Sequence, residues 1–141
     1  MTNSIVKITN LANRCNICGD LPLGPRPVFS LHEQAKIVVI GQAPGRKVHE
    51  SGLPWDDASG DRLRQWLAVT KEEFYSKSKF AILPMGFCYP GTGKSGDLPP
   101  RPECAPLWHE RMLKLLAKDS LVLLIGNYAQ KYYLVKQKEV I

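Results

Sequence analysis

The clearest signal in the chain is Ile37-Val-Val-Ile40, an uninterrupted β-branched run of the kind found in strands buried on both faces of a parallel sheet. Phe80 to Leu83 and Leu121 to Ile125 carry the same signal and predict two further buried strands. Between and after them the apolar period changes to that of a helix. Leu63, Trp66 and Leu67 stand at i, i+3, i+4 and predict one buried face of a helix that Ser59 caps near Gly60. Thr70 and Glu73 have capping-box spacing, with Phe74 and Tyr75 as the apolar side of a second short helix. Trp108, Met112, Leu115 and Leu116 mark a third helix, and Asn127 to Leu134 a fourth after the turn at Gly126. The order β-α-β-α-β-α implies an α/β fold, a three-layer αβα sandwich around a parallel central sheet with right-handed crossovers.

The segments between these elements are where the chemistry is expected. Gly41, Ala43 and Gly45 are small and Pro44 sets its own φ, so the chain leaving the first strand turns tightly and offers backbone N–H groups to a ligand. Ligands of open α/β sheets bind beyond the carboxyl ends of the strands, where such loops converge. Leu11 to Cys18 reads as a helical turn or loop, and the proline-rich segment from Leu21 to Phe29 as an extended arm. Cys88 to Cys104 reads as a long irregular loop. Gly91-Thr-Gly-Lys94-Ser95 is not a phosphate loop, because Cys88 stands where the first glycine of that motif belongs and no helix follows.

Composition narrows the class. The 141 residues suit one domain able to bury a sizeable core, and 44% hydrophobic with 23% charged residues is globular. No run approaches the roughly 20 apolar residues of a membrane span, and the polar N-terminus has no signal-peptide core, so a cytoplasmic, monomeric protein with no membrane partner is expected. Nineteen Lys and Arg against thirteen Asp and Glu give a net charge of +6, which favours a polyanion such as DNA only weakly. Lys94 and Arg101 are placed to touch phosphate or to face water.

The four cysteines fall in a Cys15-x2-Cys18 pair and a Cys88-x15-Cys104 pair, all in loops beside Gly, Pro or Asn. Core cysteines usually sit inside regular elements, so a four-thiolate site is expected here; spacing leaves zinc and an iron–sulfur cluster both open.

Together, GQAPG after the first strand, SGLPW shortly beyond it and the two cysteine pairs resemble the iron–sulfur (family 4) branch of the uracil-DNA glycosylase superfamily, from Cys15 to about Leu134. The resemblance implies a parallel sheet between helices and a 4Fe-4S cluster on Cys15, Cys18, Cys88 and Cys104, with zinc as the alternative. It also implies a base pocket built from Gly41, Gln42 and Ala43, with Trp55 in place of the family's Phe that stacks on a flipped base. Gln42 replaces the family's loop acid and His49 stands four residues after Gly45; these two are the expected catalytic residues. The implied partner is DNA containing a damaged base, uracil or related, whose N-glycosidic bond is hydrolysed. The alternative is a catalytically inactive DNA- or partner-binding module of the same fold. Pro84 occupies the place of the family's uracil-reading Asn, and none of His32, His49 and His109 begins the family's His-Pro-Ser motif. The 141 residues are therefore expected to be a single domain lacking its C-terminal strand and helix.

Overall fold

A computed structural model describes residues 3–138. The chain forms α1 (Asn3–Asn13), β1 (Ile37–Ile40), α2 (Arg46–Ser51), α3 (Ala58–Leu67), α4 (Lys71–Phe74) and β2 (Phe80–Ile82), then β3 (Thr92–Gly93), β4 (Gly96–Asp97), α5 (Cys104–Leu113), β5 (Leu121–Leu124) and α6 (Asn127–Lys138). The central sheet is parallel in the order β2-β1-β5, with Val38 opposite Ala81 on one side and Val122 on the other. β1 takes the middle place because every residue of its run is apolar and both its faces are covered. Val38 and Ile40, with Ala81, pack in a core that includes Ile5 and Ile8 of α1, Trp108 and Met112 of α5 and Ala129 of α6. Val39, with Phe80 and Ile82, packs against Leu63 of α3 and Phe74 after it. Helices on both faces of a parallel sheet give the expected αβα sandwich.

The arm from Leu21 to Lys36 runs along the free edge of β2, where Ser30 and Ile82 exchange backbone hydrogen bonds of 2.9 and 2.8 Å. β5 departs from expectation. Leu121 and Val122 are 58% and 42% exposed, because among the described residues β5 pairs only with β1 and forms the sheet edge. The start of the segment read as a helical turn or loop from Leu11 is the end of α1, which Ile5, Ile8 and Ala12, spaced as one helical face, bury.

Three local corrections shape the site. A helix, α2, interrupts the loop after Gly45. The cap of α3 is Asp57, whose Oδ1 accepts from the Gly60 N–H at 2.9 Å, so the helix starts at Ala58 and Ser59 lies inside it. The buried face of α3 is Gly60, Leu63 and Arg64, which leaves Trp66 74% exposed. The α4 capping box forms as its spacing predicts, each of Thr70 and Glu73 accepting from the other's backbone N–H at 3.1 Å.

Candidate active site

At the carboxyl ends of β1 and β5 lies a cavity of about 380 Å³. Gly41, Gln42, Ala43, Pro44 and Gly45 form one wall, Trp55 and Asp57 another, and Pro84, Asp97 and Ile125-Gly126 close it; Ser59, Arg62 and Trp66 stand on the α3 side. The glycine loop is held from beneath, since its Gly41 and Gln42 carbonyls accept from Met85 and Gly86 N–H at 2.8 and 3.0 Å. The parallel pairing of β1 and β2 thus continues past their ends and presents the loop to the cavity.

Trp55 has φ 59°, a left-handed conformation that a bulky residue adopts only when its surroundings impose it. Those surroundings can be named. The Trp55 carbonyl accepts from Arg64 Nη1 at 3.0 Å, the preceding Pro54 carbonyl accepts from Tyr75 Oη at 2.7 Å, and Arg64 also donates to Tyr75 Oη at 3.2 Å. Arg64, only 4% exposed, balances its charge against Asp61 at 2.9 Å and lies over the rings of Phe74 and Tyr75. The indole rests on Gly41, where an added Cβ would meet ring carbon Cζ2 at 2.7 Å. Glycine at position 41 therefore serves the close approach of a ring.

Below the pocket, His109 is 1% exposed and stacked with Phe87 and Tyr133. Its Nε2 lies 2.7 Å from the Pro84 carbonyl, which can only accept, so Nε2 carries the proton and Nδ1 accepts from Tyr133 Oη at 2.5 Å. The imidazole braces the cavity wall rather than facing it. Burial holds its pKa below the ordinary 6.5. The unfolded chain therefore takes up a proton that the folded one refuses, and stability present above pH 6.5 is lost as pH falls below it. The slope is at most about 1.4 kcal/mol per pH unit. Thermal melting between pH 7.5 and 5 is expected to show this loss and His109→Gln to flatten it; parallel profiles would refute the assignment.

Of the residues expected to act, Gly41, Gln42, Ala43 and Trp55 share the cavity. His49 does not line it. It sits on α2 with its ring 6.0 Å from that of Tyr89 and its Nδ1 buried without a partner among the described residues, while its carbonyl accepts from Arg26. Missed from sequence were Asp57 and Asp97, the carboxylates of the lining. Asp57 stands two residues after Trp55 and carries a cap signal, whereas Asp97 reaches Gly45 only through the β3–β4 hairpin, its Oδ2 lying 3.2 Å from where a Gly45 Cβ would stand.

All four cysteines line one second cavity, with Phe87, Leu107 and Trp108 among its walls. Cys104 Sγ accepts from the Phe87 N–H at 3.2 Å and the Cys88 sulfur from the Arg26 backbone N–H. Burial pushes the Cys88 thiol up to about 11 and Cys104 up to about 12. Such thiols are poor nucleophiles without a cation to stabilise their thiolates. Among the described residues no group of three or more Cys, His, Asp or Glu is arranged to hold a single metal ion. No helix among them is long and apolar enough to cross a membrane.

A family model described as the uracil DNA glycosylase superfamily matches residues 29–140. The match takes in β1, the Gly41–Gly45 loop, Trp55, Cys88 and Cys104, and begins after Cys15 and Cys18. Spanning most of a chain whose parallel sheet opens into a pocket built by that loop, it shows that the protein belongs to the uracil DNA glycosylase superfamily.

Proposed function

We propose that the protein is a DNA-repair glycosylase that draws a damaged base, uracil or a relative, into the Gly41–Trp55 cavity and hydrolyses its N-glycosidic bond. The observation that carries this reading is the meeting of the superfamily's loop with a base-sized cavity at the strand ends. Trp55 offers a flat face for the flipped base, and base–aromatic stacking contributes about 1–3 kcal/mol.

In the reaction the bond from C1′ to the base nitrogen breaks, the base leaves with the electron pair, and the oxygen of a water bonds to C1′. The transition state is a sugar cation beside a base anion, so a carboxylate facing the sugar and an amide facing the base or the water both lower the barrier. Gln42 orients the water but has no basic group. Asp57 supplies the charge that Gln42 lacks: its Oδ1 is anchored on the Gly60 N–H, and as a carboxylate it both faces the cation and accepts the water's proton. His49 stands outside the cavity lining, so this reading gives it no proton to move.

This reading gives the four cysteines a 4Fe-4S cluster. All four line one cavity, and the iron–sulfur branch that the cysteine spacing resembles holds such a cluster, with zinc as the alternative. Cys15, Cys18, Cys88 and Cys104 would hold the cluster, and the backbone N–H groups aimed at Cys88 and Cys104 would support its thiolates. Bound there, it would hold the loop that carries Asp97 and the arm that carries Arg26.

The test is incubation of the protein with single- and double-stranded oligonucleotides containing uracil or hypoxanthine, followed by alkali. Scission at the modified base is expected, reduced at least about a hundredfold by Asp57→Asn, which keeps an N-cap but loses the charge. No scission with any substrate, binding being retained, would sink the enzyme reading. That outcome favours the inactive binding module, for which Pro84 in place of a base-reading amide already speaks.

A further inference from the structure

Of the two tryptophans expected to lie in the core, Trp66 is the one the fold turns outward. Trp66 is 74% exposed, whereas Trp108 is buried and Trp55 half-buried against Gly41. Lone exposed apolar side chains are ordinary, but two features set this one apart. It stands on the rim of the base cavity, and Arg62, one turn earlier on the same face of α3, stands there with it. The rest of α3 does not need the indole outside: Leu63, Gly60 and Arg64 already fill its inward face, and Leu67 packs at its edge.

We infer that Trp66 and Arg62 form a subsite for the nucleotide next to the extruded one, the indole stacking on its base and the guanidinium contacting the intervening phosphate. The geometry of a flipped nucleotide supports this. A base seated between the glycine loop and Trp55 brings its own backbone to the cavity mouth, so the adjoining nucleotide must cross the rim. There an aromatic face and a cation on one helical stripe match what a single-stranded backbone offers, a phosphate and a base that has lost a stacking neighbour. Stacking is tolerant of base identity, so the subsite contributes affinity and strand register while the inner cavity selects the damaged base.

The inference rests on the proposed base pocket, and its test separates the two. Binding is measured by fluorescence anisotropy with oligonucleotides carrying 2′-fluoro-deoxyuridine, which resists hydrolysis, flanked either by normal nucleotides or by abasic spacers on both sides. For the unaltered protein, removing the flanking bases is expected to weaken binding about tenfold. Trp66→Ala should weaken binding of the normally flanked strand to the same degree and become indifferent to the spacers, Trp66→Phe should retain most of the affinity, and Arg62→Gln should lower the salt slope by about 1. Competition by free uracil should be unchanged in Trp66→Ala, which also shows that the inner cavity is intact. Unchanged affinity in Trp66→Ala, or an undiminished response to the spacers, overturns the subsite while leaving the base pocket standing. Flank dependence that vanishes with Trp66 but without any preference for uracil over thymine keeps the subsite and overturns the pocket. No DNA binding by the unaltered protein overturns both.

Discussion

Gly60→Ala is expected to destabilise the protein by about 3 kcal/mol or more and to lower its melting temperature by roughly 10 °C, the largest loss from any single methyl group in the pocket region. A Cβ at position 60 would lie 1.7 Å from the Trp55 carbonyl oxygen, 2.6 Å from its carbon and 3.1 Å from Arg64 Nη1. None of these can yield cheaply. The oxygen is main chain, already in a left-handed residue and held by Arg64; the guanidinium is buried and tied to Asp61 and Tyr75; the Gly60 N–H is the donor to the Asp57 cap. A single methyl therefore disturbs the cap of α3, the posture of Trp55 and the hydrogen bonding of a buried charge. Base binding should fall with stability, because the indole would leave Gly41. Gly19→Ala is the control, with nothing within 4 Å of its added Cβ. Differential scanning calorimetry of the two variants decides: equal melting temperatures would mean that the Trp55 corner is not rigid.

Cys104→Ser should remove the visible absorption of the protein as purified from iron-replete cells, and with it the order of residues 89–103. Cys104 opens α5 and lies against the Phe87 N–H, so it fastens the end of the Cys88–Cys104 segment to the loop that follows β2. Structural metal centres contribute on the order of 10 kcal/mol, and a lost ligand forfeits much of that. The consequence reaches the active pocket because the β3–β4 hairpin lies in the released segment. Asp97 there faces Gly45 and accepts from Thr92, which in turn contacts Tyr89. Limited proteolysis should cut between Tyr89 and Glu103, whereas Cys15→Ser should instead free the arm that covers β2 through Ser30. Metal analysis completes the test. Colourless protein with one zinc per chain would replace the cluster by zinc and keep the four-thiolate site; metal-free protein whose melting is unaffected by Cys104→Ser would overturn both.

These two variants strike different supports of one pocket. Gly60 belongs to the α3–α4 side, where Arg64 and Tyr75 set Trp55, and the cysteines belong to the arm and hairpin side, where Arg26 holds the end of α2 and Asp97 reaches the glycine loop. Residues from both sides line the candidate cavity. Loss of either side should weaken binding of a damaged base without a change to any residue that lines the floor.

How much of this was legible beforehand follows from the range of the interactions involved. β1 was legible because a continuous β-branched run has few other uses, and the α4 capping box because its two hydrogen bonds span only three residues. The glycine loop, Trp55 and the cysteine pairs were recognisable from residue type and spacing, and the first two do share the cavity. The phase of α3 was not. Leu63-Trp66-Leu67 and Gly60-Leu63-Arg64 are equally good helical stripes, and hydropathy alone prefers the first. The choice of the second was made by the Trp55 carbonyl and the Tyr75 hydroxyl, partners nine and eleven residues from Arg64 that make a buried guanidinium tolerable and leave no reason to bury the indole. In the same way His109 was only a histidine in a helix until Pro84 and Tyr133, 25 and 24 residues away, met its two nitrogens. Asp97 came to Gly45 through a hairpin whose strands are two residues each, too short to carry a period. What the residues determined by themselves were the strands, the turns and the chemistry on offer; which side chains faced the pocket was decided by contacts between segments far apart in the chain, where no local pattern records the partner.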